Sequence, residues 1–369
     1  MQFFPHLESA LSVKWVQDRP MADYFRPDIA SLPAYVAGRN PEDPEVIKVA
    51  SNEMPFPTLP GVAAALGLHL SELNRYPDMG AVALKEAIAA FHNTSVANVA
   101  VGNGSVALIE QFLQAVCVPG AEVVIPWRSF EAYPIAIQVA GGKAVKVGLR
   151  NNGKIDLPAM LDAITARTRA ILICTPNNPT SCALTHEELR RFLRSVPSQI
   201  PVLVDEAYVD FVEMNDAVRG VELAAEFANV ISLRTFSKAY ALAGLRVGYA
   251  LGMENLVEGL DKVATPFGVN TLAQVAAVAA LQERGEVERR VATIKAERSK
   301  LVGALRVLGW EGCPQGNFLW FDLGAESARF AHLCEREKLV VRTFAEGVRV
   351  SVAPEASLRL VRAYRSFRS

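Results

Sequence analysis

Residues 170–181, AILICTPNNPTS, and residues 201–211, PVLVDEAYVDF, follow one plan: a run of apolar residues without polar alternation, then a cluster of polar and turn-forming residues. A strand with one wet face alternates apolar and polar side chains. A strand that is apolar throughout needs cover on both faces, which helices on the two sides of a parallel sheet provide. Val99–Val101, Glu122–Ile125, Ala144–Gly148, Val230–Leu233 and Val247–Leu251 read as further strands, and several of them are nearly all apolar. Helical patterns such as Val106–Val116 and His186–Arg194 fall between some of them. This alternation predicts an α/β fold with a largely parallel sheet flanked by helices, and places functional groups at the strand carboxyl ends.

After about residue 285 the character changes. A charged helical pattern, EVERRVATIKAERSKLVGALRVLG (286–309), precedes a strand at Phe318–Leu323 and a helix at Ala325–Lys338. Strands at Val340–Thr343 and Val348–Val352 and a last helix from Pro354 follow. The expected division is an N-terminal arm of uncertain role (1–20), a segment packing with a smaller domain (21–50), a large domain (51–284) and a small α+β domain (285–369).

The chain has 369 residues, enough to bury a sizeable core in two domains, and a formal net charge of −1. Such a balance offers no attraction for nucleic acid or an anionic membrane. The five cysteines form no CxxC pair and no metal-like spacing with histidine, and read as reduced, mostly buried residues of a cytoplasmic protein. No apolar run reaches the roughly 20 residues of a bilayer span, and the start lacks the pattern of a secretory signal.

Five features carry chemistry. VGNGSVALIEQF (101–112) reads as strand, glycine turn and helix beginning near Ser105, whose first amides can hold a phosphate, although glycines end strands in most α/β proteins. In CTPNNPTS (174–181) the Asn-Asn-Pro turn can aim a side-chain amide into a crevice or be an ordinary turn, and Asn178–Pro179 is a candidate cis bond. Asp205 ends an apolar strand, so its carboxylate is poorly solvated and needs a cationic partner, with no Lys or Arg near it in sequence. In LRTFSKAYALAGLRVGY (233–249), Lys238 sits among small residues that leave room for a ring and depress its pKa, as Schiff-base chemistry requires. Thr235, Ser237 and Arg246 around it form a phosphate-binding set. Arg342 and Arg349 lie in two short strands and can fork onto a carboxylate or phosphate; alone they would read as surface arginines.

The ordered set PNNPT, DEAY, SK and AGLRVG resembles the fold-type-I, pyridoxal-phosphate-dependent aminotransferases, above all the histidinol-phosphate aminotransferases and their aromatic amino acid relatives. The likeness runs from about Arg26 to the end and includes LPAYV (32–36), NRYPD (74–78) and WRSFEAYP (127–134). By resemblance, Lys238 is the Schiff-base lysine, Asp205 pairs with the pyridine nitrogen, and Tyr208 and Asn178 hydrogen-bond the ring's phenolic oxygen. Phe130 stacks on the ring. Gly104, Ser105 and Val106 supply amides to the phosphate, completed by Thr235, Ser237 and Arg246. Tyr76 reaches the phosphate of a second subunit, which implies a homodimer. Arg349 holds the substrate anion, while Arg342 and Tyr35 help to bind a substrate phosphate, and Asn178 also borders the substrate.

The implied reaction is ping-pong transfer from an imidazole or aromatic amine donor to a 2-oxo acid, 2-oxoglutarate by analogy. Val106 and Ala107 stand where many histidinol-phosphate enzymes have two acids, Phe130 where they have tyrosine, and Ser181 where glycine is usual. These departures favour the aromatic or phenylalanine branch, whereas Tyr35, Arg342 and Arg349 keep the phosphate reading open. A phosphothreonine-type decarboxylase on the same scaffold is the alternative. A regulator with a degenerate aminotransferase core would need a DNA-binding module, for which about 25 weakly basic residues are too few.

Overall fold

The computed structural model describes residues 24–32 and 40–369. Residues 24–32 fall in a unit of their own. It carries one short helix, Pro27–Ala30, begun by a proline whose fixed φ suits a first turn. The rest of the described chain belongs to the second unit.

Among the described residues of the second unit, twelve strands follow one another: β1 Ile47–Lys48, β2 Val99–Gly102, β3 Glu122–Trp127, β4 Lys143–Gly148, β5 Thr168–Cys174 and β6 Val202–Asp205. Then come β7 Val230–Thr235, β8 Gly248–Leu251, β9 Phe318–Asp322, β10 Leu339–Val340, β11 Arg342–Thr343 and β12 Gly347–Ser351. The seven expected strands of the large sheet are all present, ordered β2-β8-β7-β6-β5-β3-β4. β3 to β7 pair in parallel, and β8 alone runs against both its neighbours.

Successive residues of a strand face opposite sides, and both sides are covered. Leu172, Leu203 and Ile231 pack with Leu108, Phe112, Ile137 and Leu260 of helices Gly104–Val116, Ala132–Val139 and Glu254–Lys262. Ile171, Ile173, Val202 and Val204 pack on the other side with Leu189, Phe192 and Leu223 of helices His186–Ser195 and Gly220–Glu226. β4, at the edge, instead exposes Lys143 and Lys146, charges that discourage further pairing.

The long helix Arg284–Val307 and the helices Ser327–Arg336 and Ser357–Arg368 accompany a three-stranded antiparallel sheet, β11-β12-β9. The expected strand Val340–Thr343 is two strands. β10 pairs in parallel with β1, whereas β11 pairs antiparallel with β12, so one extended run serves two sheets and leaves Val341 between them outside both. The helix expected at Ala325–Lys338 is a turn followed by helix from Ser327, and the final helix likewise starts at Ser357 after a turn at Pro354. Of the cysteines, all free, only Cys174 and Cys334 are buried; Cys117 and Cys182 are partly exposed and Cys313 exposed, so "mostly buried" is corrected. No described helix is long and apolar enough to cross a membrane.

Candidate active site

Four strands deliver residues at their carboxyl ends: β2 leads into Gly104, β5 ends at Cys174, β6 at Asp205 and β7 at Thr235. The reversed strand β8 completes the set. Gly248, at its amino end, pairs with Gly102 on one side and Thr235 on the other, so Arg246 enters at the same edge. A cavity of about 490 Å³ opens there. Ser105, Val106, Phe130, Asn178, Asp205, Tyr208, Thr235, Ser237, Lys238, Arg246, Arg342 and Arg349 all line it.

One end of the cavity is built for an anion. Gly104, at φ +76, turns the chain into the 13-residue helix, whose first amides lack intrahelical partners. A Cβ on Gly104 would strike the Arg246 guanidinium, and one on Gly248 would lie 2.6 Å from the Ser105 amide nitrogen. Both positions therefore need glycine for close approach. Arg246 donates to Ser237 Oγ at 3.3 Å and to the Ala243 carbonyl at 3.1 Å, and the Ser237 amide donates to Thr235 Oγ1 at 3.1 Å.

At the other end Asp205 is 4% exposed. Its Oδ2 accepts from the Tyr133 hydroxyl at 2.8 Å and its Oδ1 from the Ala207 amide at 3.1 Å. The cation anticipated for it is not an Arg or Lys hydrogen-bonded to it; a phenol and an amide hold it instead. Burial pushes its pKa up to about 6 against the pull of those two donors. An uncompensated carboxylate facing a cavity suits a ligand carrying an N–H cation. Cys174 lies beside it, its thiol pushed well up by burial and by the Asp205 charge.

Lys238 Nζ donates to the Ser51 carbonyl at 3.0 Å. Burial, then the charge of Arg349, brings its pKa down to about 8, so near neutrality the amine is unprotonated far more often than an ordinary lysine. Asn178 Oδ1 accepts from Arg349 at 2.6 Å, which fixes the amide and turns its NH2 side elsewhere. Asn178–Pro179 is cis, as are Thr175–Pro176 and Trp127–Arg128. The Tyr208 hydroxyl accepts from Asn52 Nδ2 at 3.1 Å, and burial raises its pKa.

Arg342 and Arg349 are cross-strand partners on β11 and β12. Arg349 also donates to the Ala50 carbonyl at 2.5 Å, and Arg342 to Glu131 Oε2 at 2.8 Å. Phe130 meets Tyr133 edge to face, with centroids 5.5 Å apart. Two of the expected residues that are described do not line this cavity: Gly104 immediately precedes the lining Ser105, and Tyr76 is 82% exposed and stacks on Phe267; Tyr35 lies outside the described residues. Tyr133, Asn52 and Glu131 were missed in the sequence. Glu131 and Tyr133 sit in the same WRSFEAYP stretch as Phe130, one and three residues along the turn and helix that follow, and that spacing was the available signal.

The chain matches the family described as aminotransferase class I and II over residues 44–363. It is 47% identical over 340 residues to an aromatic amino acid aminotransferase of Mycolicibacterium paratuberculosis, covering 91% of this chain and 95% of that one. An aromatic amino acid aminotransferase of Streptomyces coelicolor is 45% identical, with coverage of 89% and 92%. The structure of histidinol-phosphate aminotransferase from Sinorhizobium meliloti in complex with pyridoxal-5'-phosphate superposes with a TM-score of 0.84 at 27% identity, covering 94% of this chain and 98% of that one. An anion cradle, a buried carboxylate and a depressed lysine around one cavity fit that cofactor's phosphate, ring nitrogen and aldehyde. The chain belongs to the class I and II aminotransferases, and is a fold-type-I transaminase that uses pyridoxal 5'-phosphate.

Proposed function

We propose that this transaminase takes its amino group from aromatic amino acids, phenylalanine foremost, with imidazole amines as further donors, and passes it to 2-oxoglutarate in a ping-pong cycle. The observation that carries the reading is one cavity lined by Asp205, Lys238, Asn178 and Arg349 together with the apolar Phe130 and Ile135, with Arg349 hydrogen-bonded to Asn178. Support for the donor class comes from relatives at 45–47% identity named for it. Bound pyridoxal phosphate supplies an electron sink for charge developing at the substrate Cα.

In this reading Gly104, Ser105 and Val106 amides with Thr235, Ser237 and Arg246 hold the phosphate. Asp205 keeps a proton on the ring nitrogen, Tyr208 and Asn178 donate to the ring oxygen, and Phe130 packs on the ring. Arg349 takes the substrate carboxylate as a charge-assisted pair. The Lys238 amine would move the proton at the substrate Cα, a task suited to an amine with a pKa of about 8. The exposed Tyr76 would reach the phosphate of a second copy, making the enzyme a homodimer. We also assign 51–284 as a cofactor domain and 285–369 as a smaller domain joined by 21–50, and place the enzyme in the cytoplasm, where free thiols persist.

The test is a half-reaction titration, following loss of the cofactor's visible band with phenylalanine, tyrosine, histidine and histidinol phosphate in turn. Fast reaction with phenylalanine or tyrosine, and glutamate formed on adding 2-oxoglutarate, is the expected result. Reaction with histidinol phosphate alone would overturn the donor class, and carbon dioxide release without glutamate would make the enzyme a lyase.

A further inference from the structure

The Arg342 side chain is already engaged. Its Nη2 donates to Glu131 Oε2 at 2.8 Å, with the two side chains 13% and 26% exposed, so water screens this pair only in part. Glu131 Oε1 faces Arg128 Nη2 at 3.6 Å, and Arg128 Nε faces Glu346 Oε2 at 3.5 Å. Arg128 is held over the Trp127 and Phe344 rings at 4.5 and 5.1 Å, and Arg342 over Phe344 at 5.5 Å. Among the described residues, three arginines (128, 342, 349) and two glutamates (131, 346) give this group one positive charge in excess. That charge answers the single carboxylate of an amino acid. A donor bearing a phosphate dianion at its far end would have to approach Arg342 against the Glu131 carboxylate, across a few ångströms.

The geometry points to Glu131 as a specificity-determining residue that excludes donors with a terminal phosphate and admits uncharged aromatic ones. This inference deepens the proposed donor class and rests on it. Glu131 acts by charge. It occupies the arginine that a phosphate would need and repels the incoming anion, while the Phe344 ring, itself packed on Trp320 with centroids 5.5 Å apart, lies against the arginines. Glu131 lies at the start of the helix Ala132–Val139 and makes no side-chain cap there, so replacing it does not remove a fold-stabilising contact of that helix.

The test compares three donors on the holoenzyme: histidinol phosphate, histidinol and phenylalanine. In Glu131→Gln, kcat/KM for histidinol phosphate relative to histidinol should rise about tenfold or more, because a like charge a few ångströms away in a half-screened site is worth at least that factor. The gain should shrink with added salt, and Arg342→Gln placed on top should erase it. Glu131→Asp, which keeps the charge, should stay near wild type. An unchanged ratio in Glu131→Gln, or a rise that survives loss of Arg342, overturns the inference. Wild-type protein inert to phenylalanine would instead overturn the donor class, and the phosphate-to-alcohol ratio would still judge Glu131.

Discussion

Tyr133→Phe removes one buried oxygen and leaves the packing in place, since the ring is 0% exposed and already wedged edge to face against Phe130. What is lost is the 2.8 Å hydrogen bond to Asp205 Oδ2. A hydrogen bond to a charged group is worth about 1.5–3 kcal/mol, or roughly one to two pKa units. The Asp205 carboxyl, at about 6 in the cofactor-free protein, should therefore move to roughly 7–8 in the variant. The sign follows from linkage. Its folded pKa exceeds the ordinary 3.8, so the stabilisation from its protonated form is complete below that value and is lost as pH rises through 6. The loss amounts to about 3 kcal/mol. In Tyr133→Phe the same loss should continue upward to about pH 8. Urea midpoints of the cofactor-free wild type and variant from pH 4 to 9 read this directly, with Asp205→Asn as the control that lacks the step. With cofactor bound, the carboxylate is needed ionised, and kcat should fall about tenfold to a hundredfold near neutral pH. A variant whose stability profile and kcat both superimpose on wild type would refute the reasoning.

Lys238→Ala should abolish the covalent adduct that borohydride traps and stop turnover; a normal adduct in that variant would remove Lys238 from the chemistry. Asp205→Ala should still bind the cofactor, through the anion cradle, but lose turnover by about three orders of magnitude or more, and near-normal kcat would end its assigned role. Gly248→Ala forces a methyl to 2.6 Å from the Ser105 amide nitrogen and 3.0 Å from the Arg234 carbonyl oxygen. It should weaken cofactor affinity about tenfold or more, measured by equilibrium dialysis, and an unchanged Kd would show that the Gly104–Ser105 turn does not depend on that close approach.

The large sheet was readable because burial on both faces writes itself as uninterrupted apolar runs; Ala170–Cys174 and Val202–Val204 could hardly be anything else. The direction of β8 was not readable, since side-chain period carries no sign, yet that direction is what brings Arg246 to the site. Val340–Thr343 looked like one strand because β-propensity does not say which partner each residue bonds. Lys238, Asp205, Asn178 and Arg246 stood out through their positions beside strand ends and small residues. Asn52, by contrast, meets Tyr208 across 156 residues of chain, and Tyr133 meets Asp205 across 72, contacts no local pattern encodes.

The cradle and the buried acid draw on β2, β5, β6, β7 and β8, strands spread from residue 99 to 251 and joined only when the sheet is complete. No fragment of the chain contains a partial version worth occupying, so the bound coenzyme reports that folding has finished. Mass action makes the same point as a free energy: ligand at a hundred times its Kd deepens the native well by about 2.7 kcal/mol. Excess coenzyme should thus slow proteolysis of this protein, through a pocket that exists only in the finished sheet.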